Sequence, residues 1–359
     1  MPVGAIQQVA RAQLCEWLRA GAAPPAVIPE ALLAAARDEG VHLLLADRGR
    51  SPALADELRA STVIEIVRAQ ELQAVLASLA SHGVRPVLLK GAALAHTHYP
   101  RPELRPRSDT DVMIPAAARE RVVRVLGALG YRRPAEVDGE LSTGQFHFVR
   151  DDHHGVEHAL DVHWRVSNVR AFADALSYDE LARDGVPIPA LGDHAVGASS
   201  VHALLLASVH RVAHHGDTQN LLWLYDVHLL ARGLTAAERH AFGALASSRR
   251  MRAVCARTLT LAQAAFGGLD AAWIETLAPA DGVDEPSAAF VGGGFRQVDI
   301  LKADLAATPR WGARVQLLRE HLFPRADFMY ARYGTRLKPA LPVLYLHRLV
   351  TGVPKWFRR

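Results

Sequence analysis

The sequence predicts an α+β protein in which a small mixed sheet is flanked by N- and C-terminal helical regions. Three observations predict it. Apolar residues recur at helical spacing toward both ends, the period changes abruptly at His82-Gly83, and the stretch that follows alternates short apolar runs with turn residues. The expected units are a helical region over 1–80, an α/β core over 81–169 and a helical domain over 170–359.

From Gln7 to about Ala80, Leu14, Trp17 and Leu18, and later Leu72, Val75, Leu76 and Leu79, fall three and four apart, with breaks at Pro24, Pro25, Pro29 and Ser51-Pro52. Val84 to Lys90 then reads as a short buried strand ending at Gly91, and Val112 to Ile114 as another ending at Pro115. Ala116 to Leu129 reads as a helix closed by Gly130. Gln145 to Arg150 and Val156 to Arg165 flank Asp151, Asp152 and Gly155, which predicts a hairpin. After about Val169 the strand signals stop. Val201 to His214, Asn220 to Ala231 and Ala236 to Phe266 have a helical period, and Pro279 to Gly294 is looser. Gly292-Gly293-Gly294 lacks the GxGxxG spacing of a dinucleotide fold and is expected to be a loop.

A chain of 359 residues with 50% hydrophobic and 22% charged residues can bury a sizeable core, which excludes wholesale disorder. The net charge of +4 does not call for a nucleic-acid partner. Only Lys90, Lys302, Lys338 and Lys355 are lysines, leaving 37 of the 41 basic residues as arginine, so a lone arginine says little and a lysine in an unusual place says more. Cys15 and Cys255 lie far apart without metal-ligand spacing and are expected to be buried apolar residues in a reducing cytoplasm. The sequence shows no leader pattern and no uncharged stretch approaching the ~18 residues that span a bilayer, so a cytoplasmic location without membrane insertion is expected.

The informative stretch runs from Leu88 to Pro115. Asp109 and Asp111 sit two apart at the head of a strand, so both carboxylates face one side, about 6–7 Å apart. Like charges at that spacing call for a cation, and Mg²⁺ is the usual hard ion held by one or two carboxylates together with substrate phosphates. In LDVHW, Leu160, Val162 and Trp164 alternate with Asp161, His163 and Arg165. Asp161 is a third candidate ligand, although a solvated outer face explains it equally on pattern alone. Lys90-Gly91-Ala92 ends a strand and opens a helix over Ala93 to His98, where backbone N–H groups can approach a phosphate.

These residues carry a resemblance. KGAAL, RPRSDTDVMI and LDVHW, with HRVAHHGDTQNLLWLYDVHLL and LFPRADFMYARYG downstream, resemble nucleotidyltransferase family 5, uncharacterised bacterial members of the DNA polymerase beta-like nucleotidyltransferase superfamily. The similarity runs from about Ala34 to Val350. Ala92 stands where the superfamily has Gly or Ser, Thr110 replaces a hydrophobic residue, and the spacer before Asp109 is long.

The resemblance implies Mg²⁺-dependent transfer of a nucleoside monophosphate from an NTP, such as ATP, to an acceptor, with release of pyrophosphate. Asp109, Asp111 and Asp161 would hold two Mg²⁺ ions, with Mn²⁺ as a possible substitute, and act as the catalytic trio. Lys90, Gly91, Ala92, Arg107 and His163 would contact the nucleotide, Arg105 being a further candidate cation. The structural alternatives are a lysine reaching solvent, solvated arginines and a satisfied core histidine. His210 and His214 lack the inner Glu of HExxH and are expected to be structural or pocket-lining. Asp226 is expected to make a helix-packing or inter-domain hydrogen bond. The expected acceptor is a small molecule, natural product or protein. Nucleic acid is less favoured, because no stacking motif is interleaved with the basic C-terminus of Lys355, Arg358 and Arg359. The alternative is a nucleotide-binding regulatory or partner protein with a degenerate form of the same fold.

Overall fold

The α+β expectation holds. The structure, a computed structural model, describes residues 3–20, 24–25, 27–49, 52–135, 139–279, 284–335 and 337–357; of the residues singled out above, Ser51, 280–283, Arg358 and Arg359 lie outside the described residues. Six strands form one mixed sheet in the order β3-β4-β2-β1-β6-β5. They are β1 Val87–Leu88, β2 Thr110–Met113, β3 Gln145–Asp151, β4 Glu157–His163, β5 Val186–Pro187 and β6 Val196–Gly197. β2 runs parallel to β4 and antiparallel to β1, and β1 runs parallel to β6.

β3 and β4 form the expected antiparallel hairpin. It turns on Asp152, whose Oδ1 accepts the backbone N–H groups of His154 at 2.8 Å and Val156 at 2.9 Å, with Gly155 at φ +76°. The strand signals do not stop at Val169. β5 and β6 come later and extend the sheet beyond β1. Each is two residues long, too short to show any alternation of apolar and polar residues.

The two faces of the sheet differ as the period-two pattern requires. Leu88, Val112, Phe146, Phe148, Leu160 and Val162 pack into one core with Leu72, Val75, Leu76 and Leu79 of the helix Pro52–Ser81 and with Val122, Val125 and Leu126 of the helix Arg119–Ala128. Each such buried side chain contributes about 1.5–3 kcal/mol. The intervening residues Asp111, Gln145, His147, Asp161 and His163 fall on the opposite face. A second, larger core joins Leu14 and Leu18 of the helix Val3–Ala20 to the helices Ser200–Val209, Leu221–Gly233 and Arg252–Phe266. Of the helices before β1, the long one covers the sheet through Leu72, Val75, Leu76 and Leu79 while its Leu54 joins the second core, and the first packs on the C-terminal helices. A cavity remains between the polar face of the sheet and those C-terminal helices.

Cys255 is fully buried, and burial pushes its thiol up to about 12; it behaves as the apolar residue expected. Gly292, Gly293 and Gly294 form a loop with φ of +95°, +70° and +80°, tied down by the Gly292 N–H to Asp217 Oδ2 at 2.9 Å. Among the described residues no helix is long and apolar enough to cross a membrane.

Candidate active site

In the parallel ladder Asp111 lies in register with Asp161, so the two carboxylates leave adjacent strands side by side. Asp109, just before β2, lines the same cavity of about 820 Å³ as Asp111 and Asp161. One ligand atom each from Asp111, Asp161 and His163 lie within 4.8 Å of one another.

Charge tells the same story. Burial, and then the charges of Asp111 and Asp161, push the Asp109 carboxyl above its ordinary range. For Asp111, burial works in the same direction, but Lys90 Nζ at 2.7 Å and His163 Nε2 at 2.8 Å from its Oδ1 reverse it and hold the carboxyl well below the usual range. Asp161 is fixed from β3: His147 Nδ1 lies 2.6 Å from its Oδ1, and Gln145 Nε2 donates to its Oδ2 at 3.1 Å. Asp111 and Asp161 bring two carboxylates together, and Asp109 lines the same cavity without joining that close group, so the cavity offers hard oxygen donors of the kind Mg²⁺ takes. The residues present fit the metal.

The predicted nucleotide contacts are arranged differently from one another. The helix Lys90–Thr97 starts three residues earlier than its spacing predicts, with Lys90 in the left-handed region at φ +46°. That conformation costs a β-carbon-bearing residue about 1–2 kcal/mol. The Lys90 side chain is only 11% exposed and its ammonium rests on Asp111 rather than in solvent. Gly91 lines the cavity, whereas Ala92 is fully buried. A Cβ on Gly91 would come within 2.4 Å of Arg105 Nη1, so this glycine makes room for an arginine. Arg105 is itself spent in a buried bidentate pair with Asp226, which realises the inter-element bond expected of Asp226. Arg107 lines the cavity, but its guanidinium is held by Glu65, with Nη2 2.9 Å from Oε1 and Nη1 2.6 Å from Oε2.

Sequence reasoning missed Gln145 and His147. The hairpin carried a signal for His147, since counting outward from its turn pairs residue 147 with 161, whereas Gln145 pairs with His163 and reaches Asp161 diagonally. It also missed Arg68, a half-buried residue of the helix Pro52–Ser81 that lines the cavity and makes no salt bridge among the described residues. The opposite wall comes from the C-terminal helices. His210–His214 forms a single π-helical turn, a distortion frequent at functional sites. His210 and His215 approach through their Nε2 atoms at 3.1 Å, and the His215 ring lies 3.9 Å from that of Trp223. Burial, with the nearby Lys90 charge, pushes His210 well below its ordinary value and His214 down to about 3, so both are neutral at pH 7. His214 Nε2 lies 3.0 Å from Ser167 Oγ.

A search of curated proteins gives no match. The family described as uncharacterised nucleotidyltransferase matches residues 25–267, a span that contains every side chain of this cavity. The chain belongs to that family of uncharacterised nucleotidyltransferases.

Proposed function

We propose that the protein transfers a nucleoside monophosphate from an NTP to an acceptor outside the nucleic acids, with Asp109, Asp111 and Asp161 as the metal-holding and catalytic residues. The observation that carries this reading is the in-register pairing of Asp111 with Asp161 beside Asp109 on the polar face of the sheet. In the reaction the acceptor oxygen forms a bond to the α-phosphorus, the bond from that phosphorus to the bridging oxygen breaks, and pyrophosphate leaves with the electron pair.

Asp109, Asp111 and Asp161 would hold Mg²⁺, which would supply positive charge where the phosphate oxygens gather negative charge. Asp161 takes the proton of the attacking hydroxyl, its orientation set by His147 and Gln145. Lys90 and His163 orient Asp111. Arg68, which donates to the Arg107 carbonyl and feels the Glu65 and Asp109 charges without a direct salt bridge among the described residues, offers the triphosphate a guanidinium. Trp223 and His215 offer an aromatic face to the base, and the neutral His210 and His214 add no charge that would compete with the metal.

The test is incubation of the purified protein with α-labelled NTPs, Mg²⁺ or Mn²⁺ and a cell lysate. The wild type is expected to release pyrophosphate and label an acceptor, and Asp111→Asn or Asp161→Asn to do neither. Labelling that survives in either variant overturns the assignment. Nucleotide binding by the wild type without pyrophosphate release instead favours the regulatory reading.

A further inference from the structure

A second cavity, of about 580 Å³, lies behind Gln145. The Gln145 side chain lines both cavities and is their shared wall, and its Nε2 is the donor to Asp161 Oδ2. The far side of the second cavity is built from the helices Gln297–Ala306, Trp311–Leu322, Ala326–Tyr333 and Leu341–Gly352. All four lie beyond residue 267, where the family match ends. The carboxylate cavity is thus made within the matched span, and its neighbour is completed by helices beyond it.

Two opposite charges line this second cavity without neutralising each other. Asp304 is 5% exposed, and its Oδ1 accepts the Arg170 N–H at 2.8 Å. No salt bridge to it is present among the described residues, and burial, outweighing the Arg170 N–H and charge, pushes its carboxyl up to about 6. Arg348 lays its guanidinium over the Phe328 ring at 5.4 Å and donates weakly to the His321 carbonyl at 3.4 Å, with no carboxylate partner among the described residues. A buried charge is costly unless it is paired, which applies to Asp304, while the half-buried Arg348 presents a guanidinium without a carboxylate partner among the described residues; the two together suit a ligand of opposite charges. Ile300, Leu301 and Trp356 give the same space an apolar lining.

We propose that this cavity is the acceptor site, and that it takes a zwitterionic, hydroxyl-bearing molecule with its ammonium at Asp304, its anionic group at Arg348 and its hydroxyl directed past Gln145 toward Asp161. The proposal rests on the nucleotidyl-transfer reading, because it supplies the oxygen that attacks the α-phosphorus and gives up its proton to Asp161. The apolar body between the two charges would pack on Phe328 and Trp356.

The test uses the full chain and three forms of one probe, the dipeptide seryl-phenylalanine: free, N-acetylated and C-amidated, with binding read by saturation-transfer NMR. The free dipeptide is expected to bind about tenfold more tightly than either capped form, the effect of losing one charge contact. Asp304→Asn should erase the preference over the N-acetyl form, and Arg348→Gln the preference over the amide. Asparagine keeps an oxygen for the Arg170 N–H, and should a variant fail to fold, the wild-type ranking decides alone. No binding, or equal binding of the three forms, overturns the proposal. The measurement needs neither metal nor NTP, so its failure is distinct from failure of nucleotidyl transfer, which the labelled-NTP assay reads.

Discussion

Arg105 and Asp226, 121 residues apart, form a buried bidentate pair, with Nε donating to Oδ1 at 2.9 Å and Nη2 to Oδ2 at 2.6 Å. Tyr99 adds its hydroxyl to the same Oδ1 at 2.7 Å. The pair ties the segment entering the central strand β2 to the helix Leu221–Gly233, that is, the carboxylate-bearing sheet to the wall facing it. Charged groups at this depth set geometry more than they add net stability, since the cost of desolvation offsets much of their attraction.

Removing one partner is different. Asp226→Ala leaves a guanidinium and a phenol buried without an acceptor, and we expect a loss of about 3–5 kcal/mol in urea unfolding. Asp226→Asn keeps an acceptor for Tyr99 and should lose less. A change below about 1 kcal/mol in the alanine variant would show that the pair does not join the two walls.

Gly91→Ala sets two effects against each other. Helix propensity favours alanine by about 1 kcal/mol. Against it, the new Cβ would sit 2.4 Å from Arg105 Nη1, and that guanidinium cannot swing away without breaking two bonds to Asp226. Overpacking of this kind costs about 1–3 kcal/mol. The clash is expected to win, and the melting temperature of Gly91→Ala to fall; a rise would mean that Arg105 is free to move.

His228 gives the fold a dependence on acid. It is 6% exposed, between Tyr225 and Phe266, and burial together with the Arg232 and Arg48 charges pushes it down to about 4. Its folded value lies below the unfolded value near 6.5, so its contribution is fully present above pH ~6.5 and is lost as pH falls toward 4. Between pH 7.5 and pH 5 the wild type should lose about 2 kcal/mol more than His228→Phe. Parallel urea melts at the two pH values check this, and equal losses would refute it.

The candidate site was legible where it depended on period two. Asp109 with Asp111, and Asp161 with His163, could each be assigned to one face of their own strand because alternation is local, and the hairpin because Asp152 and Gly155 mark their own turn; that the two strands lie side by side is a non-local fact. What escaped depended on long-range choices. β6 is a strand because β1 offers it an edge, and β5 because β6 in turn does. The partners of Lys90, Arg105 and Arg107 were not legible either, since nothing near them in sequence names Asp111, Asp226 or Glu65 as the carboxylate each would meet. Gly91 could be read as a phosphate-approach glycine because the arginine that fills the space beside it is brought there by folding.

The most direct measurement is a titration of Mn²⁺ followed by the electron paramagnetic resonance of the free ion, on wild type, Asp111→Asn and Asp161→Asn, with the fold checked by circular dichroism. The wild type should remove Mn²⁺ from solution, and both variants should leave it free while staying folded. Uptake by the two variants equal to that of the wild type would contradict a shared metal site at the three carboxylates.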